Sequence, residues 1–305
     1  MNEFQFIDTL KKIEKNNPVT LSIGDDTAII ENSLICSDTL VEDIHFSFKY
    51  FTLYDAIKKA ILVNLSDILA MNGKPLYYLL NLSIPKKLKD QLYQVTDAIR
   101  DINKEYHIDL IGGDTTHTKT DTFISVTMIG KTDNPILRDG AKEGDTIFMG
   151  GFSGKSSLAL HFLLKDEETR YKKFHIEPQI DFNFLKLFEK YPPNSMIDIS
   201  DGLLNDLSHI LEESSKGAII DESEIIKDNS SFFEYAQNYN LNPFDFIYNG
   251  GEDFIPLFTT NTPQKIIEYA QELKLPLIKV GKIVKKRGII NKNNQNLESK
   301  GYIHF

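Results

Sequence analysis

Met196-Ile197-Asp198-Ile199-Ser200-Asp201-Gly202-Leu203-Leu204-Asn205-Asp206-Leu207 is a strand, a turn and a helix in twelve residues. The apolar run Met196 to Ile199 reads as a buried strand, with Asp198 and Ser200 on the same side of it. Asp201-Gly202 makes the turn, and Leu203 to Glu213 reads as a helix that Gly217 can terminate. The start of that helix offers unpaired backbone N–H groups, which suit a phosphate, beside carboxylates able to hold a bridging metal.

Four further places put an acid after a short apolar run and one or two small residues. They are LSIGDDT with Asp25 and Asp26, LICSDTL with Asp38, LIGGDTT with Asp114, and YNGGEDF with Glu252 and Asp253. Acids repeatedly placed at strand ends can converge on one site. Like-charged carboxylates that share a site raise each other's pKa, so the cluster calls for cations. Magnesium ions, held by carboxylates and by phosphate oxygens of a substrate, would make it a phosphoryl-transfer site. Asp67 strengthens this reading, because it sits with Asn64 on one face of the otherwise apolar helix segment Ile61 to Met71. Burying an unpaired carboxylate there would be costly, so a cation or a solvent opening is expected.

Strands alternate with helices along the chain, which predicts an α/β (α+β) protein. Val19 to Ile30, Leu34 to Leu40, Leu76 to Ile84, Ile108 to Ile111 and Phe123 to Ile129 read as strands, with helices at Leu53 to Met71 and Lys86 to Tyr106. Asn134-Pro135 and the polar run Arg138 to Asp145 mark the domain junction, giving domains 1–134 and 135–305. Beyond it, strands are expected at Thr146 to Met149, Ala218 to Ile220, Phe246 to Tyr248, Ile255 to Thr259 and Leu277 to Ile283. Helices are expected at Ser156 to Leu164 and Pro263 to Leu273. Gly150 to Ser156 imitates a phosphate-binding loop, but the required first glycine falls on Met149, so Lys155 is read as a solvated residue.

With 305 residues, a formal charge of −10 and a pI near 5.2, the chain is ill suited to nucleic acid, which is bound by basic patches. The most apolar stretch, Ile61 to Ile84, is broken by Asn64, Asp67, Asn72, Lys74 and Pro75, so no membrane span is expected. Phe6, Ile7, Leu10 and Ile13 make the N-terminus an amphipathic helix rather than a signal peptide, which predicts a cytoplasmic protein. Its one cysteine, Cys36, reads as a small strand residue.

Taken together, IGDDTAII, SDTLVEDIHF, VNLSDILAMNGKP, LIGGDTT, RDGAKEGDTIF, MIDISDGLLNDLSHI, NGGEDF and the terminal GYIHF resemble the thiamine-monophosphate kinases, within the aminoimidazole ribonucleotide synthetase-like superfamily. The resemblance implies a two-domain fold, with an N-terminal mixed sheet and helices plus a C-terminal α/β domain, and a homodimer through the N-terminal domain. It implies direct transfer of the ATP γ-phosphate to thiamine phosphate, assisted by several Mg²⁺ ions. By matching motifs, Asp26, Ser37, Asp38, Asp67, Asp114, Asp198 and Asp201 are similar to magnesium ligands. Gly112, Gly113, Arg138 and Ser200 are similar to nucleotide contacts, and His45, Glu252 and Tyr302 to contacts with thiamine phosphate. Asp67, Asp114, Asp198 and Arg138 would carry the transfer. The family usually has Ser or Thr where this chain has Cys36, which leaves a backbone carbonyl as the ligand there. The alternatives are another ATP-using synthetase of the superfamily and a non-catalytic nucleotide-binding protein. The selenium-using members generally carry a reactive cysteine or selenocysteine near the N-terminus, unlike the strand residue Cys36, and the hydrogenase-maturation members end in cysteine, whereas this chain ends in His304-Phe305.

Overall fold

A computed structural model describes residues 3–13 and 16–299. Helix α1 (Glu3–Lys11) precedes strands β1 (Ala28–Ile30) and β2 (Ser33–Val41). Helix α2 (Leu53–Ala70), β3 (Lys74–Pro85), α3 (Leu92–Tyr106), β4 (Asp109–Thr118) and β5 (Phe123–Lys131) complete the first half. These strands form a mixed sheet in the order β1-β2-β5-β3-β4, with only the β3–β4 pair parallel.

The second half opens with β6 (Thr146–Met149), α4 (Lys155–Leu163), α5 (Lys172–Ile176) and α6 (Phe184–Lys190). It continues through β7 (Ser195–Asp198), α7 (Leu203–Glu213), β8 (Gly217–Ile220), α8 (Glu222–Lys227), α9 (Ser230–Asn238) and α10 (Pro243–Asn249). It ends in β9 (Pro256–Thr260), α11 (Pro263–Leu273), β10 (Ile278–Val284) and β11 (Gly288–Asn291), giving a second mixed sheet ordered β11-β8-β10-β6-β9-β7.

Helix α2 ties the halves together. Thr52 caps it: its hydroxyl accepts from the Asp55 N–H, and the Asp55 carboxylate accepts from the Thr52 N–H at 2.9 Å. Its apolar residues are buried on nearly every face, because it packs against the first sheet, against α3 and against β7 and β9 of the second. One apolar core therefore runs from Leu34, Ile61 and Met128 to Phe184, Phe188 and Phe258, while a second fills the far side of the second sheet around Ile197, Leu207 and Val280.

Several expected elements come out differently. Phe246 to Tyr248 is helical rather than extended: Asn242 caps α10 by accepting from the Phe244 N–H, and Pro243 occupies its first turn. The segment from 19 to 27 is largely irregular, meeting β1 through Thr20 and Leu21, whose N–H groups both donate to the Ile29 carbonyl; the Asp25 carboxylate takes the Asp26 N–H, a local bond that competes with a ladder. Lys86–Gln91 is a separate 3₁₀ turn before α3. Asp38 and Asp114 lie within strands, not at their ends, since β2 and β4 run past them.

Candidate functional site

Acids from four segments meet where α2 crosses β7. Asp26 comes from the irregular segment before β1, Asp38 from β2, Asp67 from α2 and Asp198 from the end of β7. Carboxylate oxygens of Asp26, Asp67 and Asp198 all lie within 4.8 Å of one another, close enough to share one cation. Ser66, beside Asp67 on α2, donates to Asp198 Oδ2 at 2.6 Å, so the two halves of the chain are bonded at the cluster itself.

Crowding and burial oppose ionisation here. Burial and the neighbouring Asp26 push Asp198 up to about 8, and the same two causes bring Asp25 to about 7. Asp67 is driven well above the carboxylate range by burial, then by Asp38 and Asp198. Arg138 supplies partial relief: its Nη2 donates to Asp26 Oδ1 at 2.5 Å, its backbone N–H donates to Asp25 Oδ2 at 3.1 Å, and both acids keep it charged against the effect of burial. Asp26 Oδ2 remains buried without a hydrogen-bond partner among the described residues. A cluster of oxygen-only donors that outnumber their cation, with an unfilled lone pair among them, fits a hard divalent ion such as Mg²⁺.

Above the acids opens a cavity of about 640 Å³, lined by Ser37, Asp38, His45, Asp67, Asp198, Ser200, Asp201 and Glu252 among others. His45 takes the Val41 N–H on Nδ1 at 3.0 Å, which leaves the proton of its neutral form on Nε2. The Ser200–Gly202 turn is shaped by an acid that the sequence did not single out. Asp206 Oδ2 accepts from the backbone N–H groups of Ser200, Asp201 and Gly202, each at 3.1 Å. Its signal lay in the sequence as an acid in the first turn of α7. Gly202 takes φ 111°, and a Cβ there would meet the Tyr248 carbonyl at 2.9 Å.

Other predicted residues lie elsewhere. Gly112, Gly113 and Asp114 sit on β4, the edge strand farthest from β2, and Asp114 is exposed. Gly113 serves the sheet rather than a phosphate within this chain: at φ 142° a Cβ would come within 1.9 Å of the Leu80 carbonyl oxygen. Alternation along β2 turns the Ser37 side chain away from Asp38, and its hydroxyl bonds to the Val126 carbonyl and Thr127 Oγ1. The Cys36 thiol is buried against Asn64 of α2. Arg138 is bound to the Asp25-Asp26 pair, and Tyr302 lies outside the described residues. The glycine-rich turn before α4 is filled by Asp253, which accepts from the Gly154 N–H, the Ser156 N–H and the Ser153 hydroxyl. Lys155 stacks over Phe174, 4.6 Å from the ring centre.

A two-sheet α/β fold with convergent acids at the crossing of its halves defines a class, and residues 24–132 match the family model "AIR synthase related protein, N-terminal domain". The thiamine-monophosphate kinase of Bacillus subtilis (strain 168) is 31% identical over 100% of both chains, and that of Aquifex aeolicus (strain VF5) is 30% identical over 100% of this chain and 98% of its own. A solved structure of AaThiL complexed with AMPPCP and TMP superposes with a TM-score of 0.87 at 29% identity, covering 100% of this chain and 97% of that one. The chain belongs to the thiamine-monophosphate kinase family.

Proposed function

We propose that this protein transfers the γ-phosphoryl group of ATP directly to thiamine phosphate, giving thiamine diphosphate and ADP. The observation that carries the reading is the cavity over the Asp26–Asp67–Asp198 cluster, in a chain whose relative AaThiL is solved with AMPPCP and TMP. Asp26, Asp38, Asp67, Asp198 and Asp201 would hold magnesium, which when bound neutralises phosphate charge and orients the triphosphate. Ser200, on the cavity wall, is assigned to the nucleotide phosphates, although the N–H groups of its turn are already taken by Asp206, and Arg138 keeps Asp25 and Asp26 aimed at the cluster. His45 and Glu252, on the cavity wall, are assigned to the acceptor. That acceptor is a phosphate already ionised at neutral pH, so it needs alignment more than a general base.

The reading divides the chain at 134/135, with metal and ATP binding and dimerisation assigned to residues 1–134 and completion of the site to 135–305. Dimerisation is supported by the uncovered first sheet. Strand β4 pairs only with β3 among the described residues, and Tyr77, Leu110, Ile111 and Phe123 stand more than a third exposed. A long bare edge strand of this kind invites a second copy. Pairing there would give Gly112, Gly113 and Asp114 a role across the subunit boundary, since within one chain they lie apart from the cavity. The same reading places the protein in the cytoplasm, where ATP and magnesium are supplied.

Incubation with ATP, Mg²⁺ and thiamine phosphate, with the product weighed by mass spectrometry, tests reaction and acceptor together. Thiamine diphosphate is the expected product, and free thiamine, lacking the attacking phosphate, is expected to react poorly. Equal phosphorylation of thiamine would overturn the assignment.

A further inference from the structure

Glu252 is held in an unusual way for a residue on a cavity wall. Its backbone takes φ 63°, a left-handed conformation that a glutamate adopts only when its surroundings impose it, and its N–H donates to the Ser200 carbonyl at 2.7 Å. The two carboxylate oxygens are gripped from different halves of the chain. Oε1 receives the ammonium of Lys59, on α2, at 2.9 Å, and Oε2 lies 3.2 Å from Nδ1 of His175, on α5. Lys59 is fully buried, rests over the Phe51 ring, and donates a second bond to the His45 carbonyl at 3.2 Å. One ammonium therefore joins the two cavity residues assigned above to the acceptor.

The His175 ring is equally constrained. It is buried between Tyr50 and Phe51, and its Nδ1 also lies 3.1 Å from the Ser156 hydroxyl. A bare Nδ1 lone pair facing a carboxylate oxygen would be repulsive, so Nδ1 carries the proton and points it at Glu252. Burial and the nearby Lys59 hold the ring neutral. Glu252, despite its own burial, is drawn down to about 2 by Lys59 and His175, so the carboxylate stays ionised. No catalytic or metal role in the reading above uses Lys59 or His175.

We propose that Lys59 and His175 are positioning residues for the acceptor subsite, fixing the Glu252 carboxylate and the His45 backbone in one arrangement so that thiamine phosphate is recognised by a preformed wall. The proposal rests on the reading that Glu252 contacts the acceptor. A glutamate free to explore its rotamers would have to be ordered by the substrate at each encounter, so loosening it weakens acceptor binding and leaves ATP binding alone.

Steady-state kinetics and melting curves of His175→Leu, His175→Asn, Lys59→Met and Glu252→Gln test this. His175→Leu and Lys59→Met are expected to raise KM for thiamine phosphate about tenfold or more, the scale of a lost charge-assisted bond, with KM for ATP unchanged. His175→Asn, whose amide can replace the Nδ1–H donor, is expected to recover most of the loss. Combined with Glu252→Gln, His175→Leu is expected to add nothing. An unchanged KM for thiamine phosphate in His175→Leu, an equal rise in both KM values, or full additivity with Glu252→Gln would overturn the positioning role. If Glu252→Gln itself leaves that KM unchanged, the assignment of Glu252 to the acceptor falls instead. The His175 variants decide the matter should Lys59→Met fail to fold, as removal of one partner from a buried ion pair can cause.

Discussion

Asp67 concentrates the chemistry of the site, because it lies in an apolar helix yet faces Asp38, Asp26 and Asp198. Asp67→Asn is expected to cut kcat by about 10²-fold or more, as removal of one electrostatic contact at a reacting phosphate does. The same change removes one member of a self-repelling set, so the melting temperature of the metal-free protein should hold or rise. A fall in both activity and metal-free stability would show that Asp67 is needed for folding. Lys155→Ala offers the contrast: its ammonium packs on Phe174 and the adjoining turn is filled by Asp253, so kcat should change far less. Asp206→Ala strips an acceptor from the N–H groups of Ser200, Asp201 and Gly202. It should cost about 1–3 kcal/mol in a denaturant melt, with partial recovery in Asp206→Asn, which keeps a carbonyl acceptor.

Among the elements, β4 carries the most testable architecture. Gly113→Ala would drive a methyl group into the Leu80 carbonyl at a backbone angle that alanine resists, and roughly 1–3 kcal/mol of stability should be lost. Gly112→Ala meets only the end of the Leu79 side chain at 3.2 Å and should be milder. If β4 is the edge at which two copies meet, Ile111→Lys should shift the protein toward monomer in sedimentation while its melting curve stays cooperative. An unchanged oligomeric state would remove β4 from the interface. Helix α10 teaches a different lesson about elements: Phe246 to Tyr248 has strand-like composition, but the cap Asn242 and Pro243 at the first turn decide for a helix. Those two residues were the legible signal, outweighed in the reading by local apolar content.

For the molecule as a whole, magnesium and pH act on the same carboxylates. In the folded, metal-free protein Asp25 and Asp198 titrate near 7 and 8, far above their unfolded values. The folded state thus holds protons that the unfolded state has already lost, and the stability contributed by these groups falls as pH rises toward and through 8. His209, depressed to about 4, works in the opposite sense, but only up to the ordinary histidine range, where its unfolded form finishes titrating. Between about pH 7 and 8.5 the carboxylates dominate, so the metal-free melting temperature should decline. Added Mg²⁺ should raise it, by more at pH 8.5 than at pH 6.5, because protons and metal compete for the same oxygens. A magnesium effect independent of pH, measured by differential scanning fluorimetry, would mean that the ion binds elsewhere.

The sequence by itself determined the alternation of strands and helices, the strand–turn–helix at Met196 to Glu213, the length of α2 and the identity of most acids at the site. Those features rest on local periodicity and turn chemistry, which short windows of residues carry. It could not rank the acids, since convergence depends on how α2 crosses β7, and that crossing brought Asp26, Asp67 and Asp198 together while leaving Asp114 on a distant edge. It was equally silent on Lys59, His175 and Asp206: a buried lysine, a histidine and a helical aspartate look like ordinary surface residues until tertiary packing supplies the partners that make their burial affordable. The reason is physical. Electrostatic partnership falls off over a few ångströms in space and bears no relation to separation along the chain, so Lys59 and Glu252 become partners only when two sheets fold around one helix.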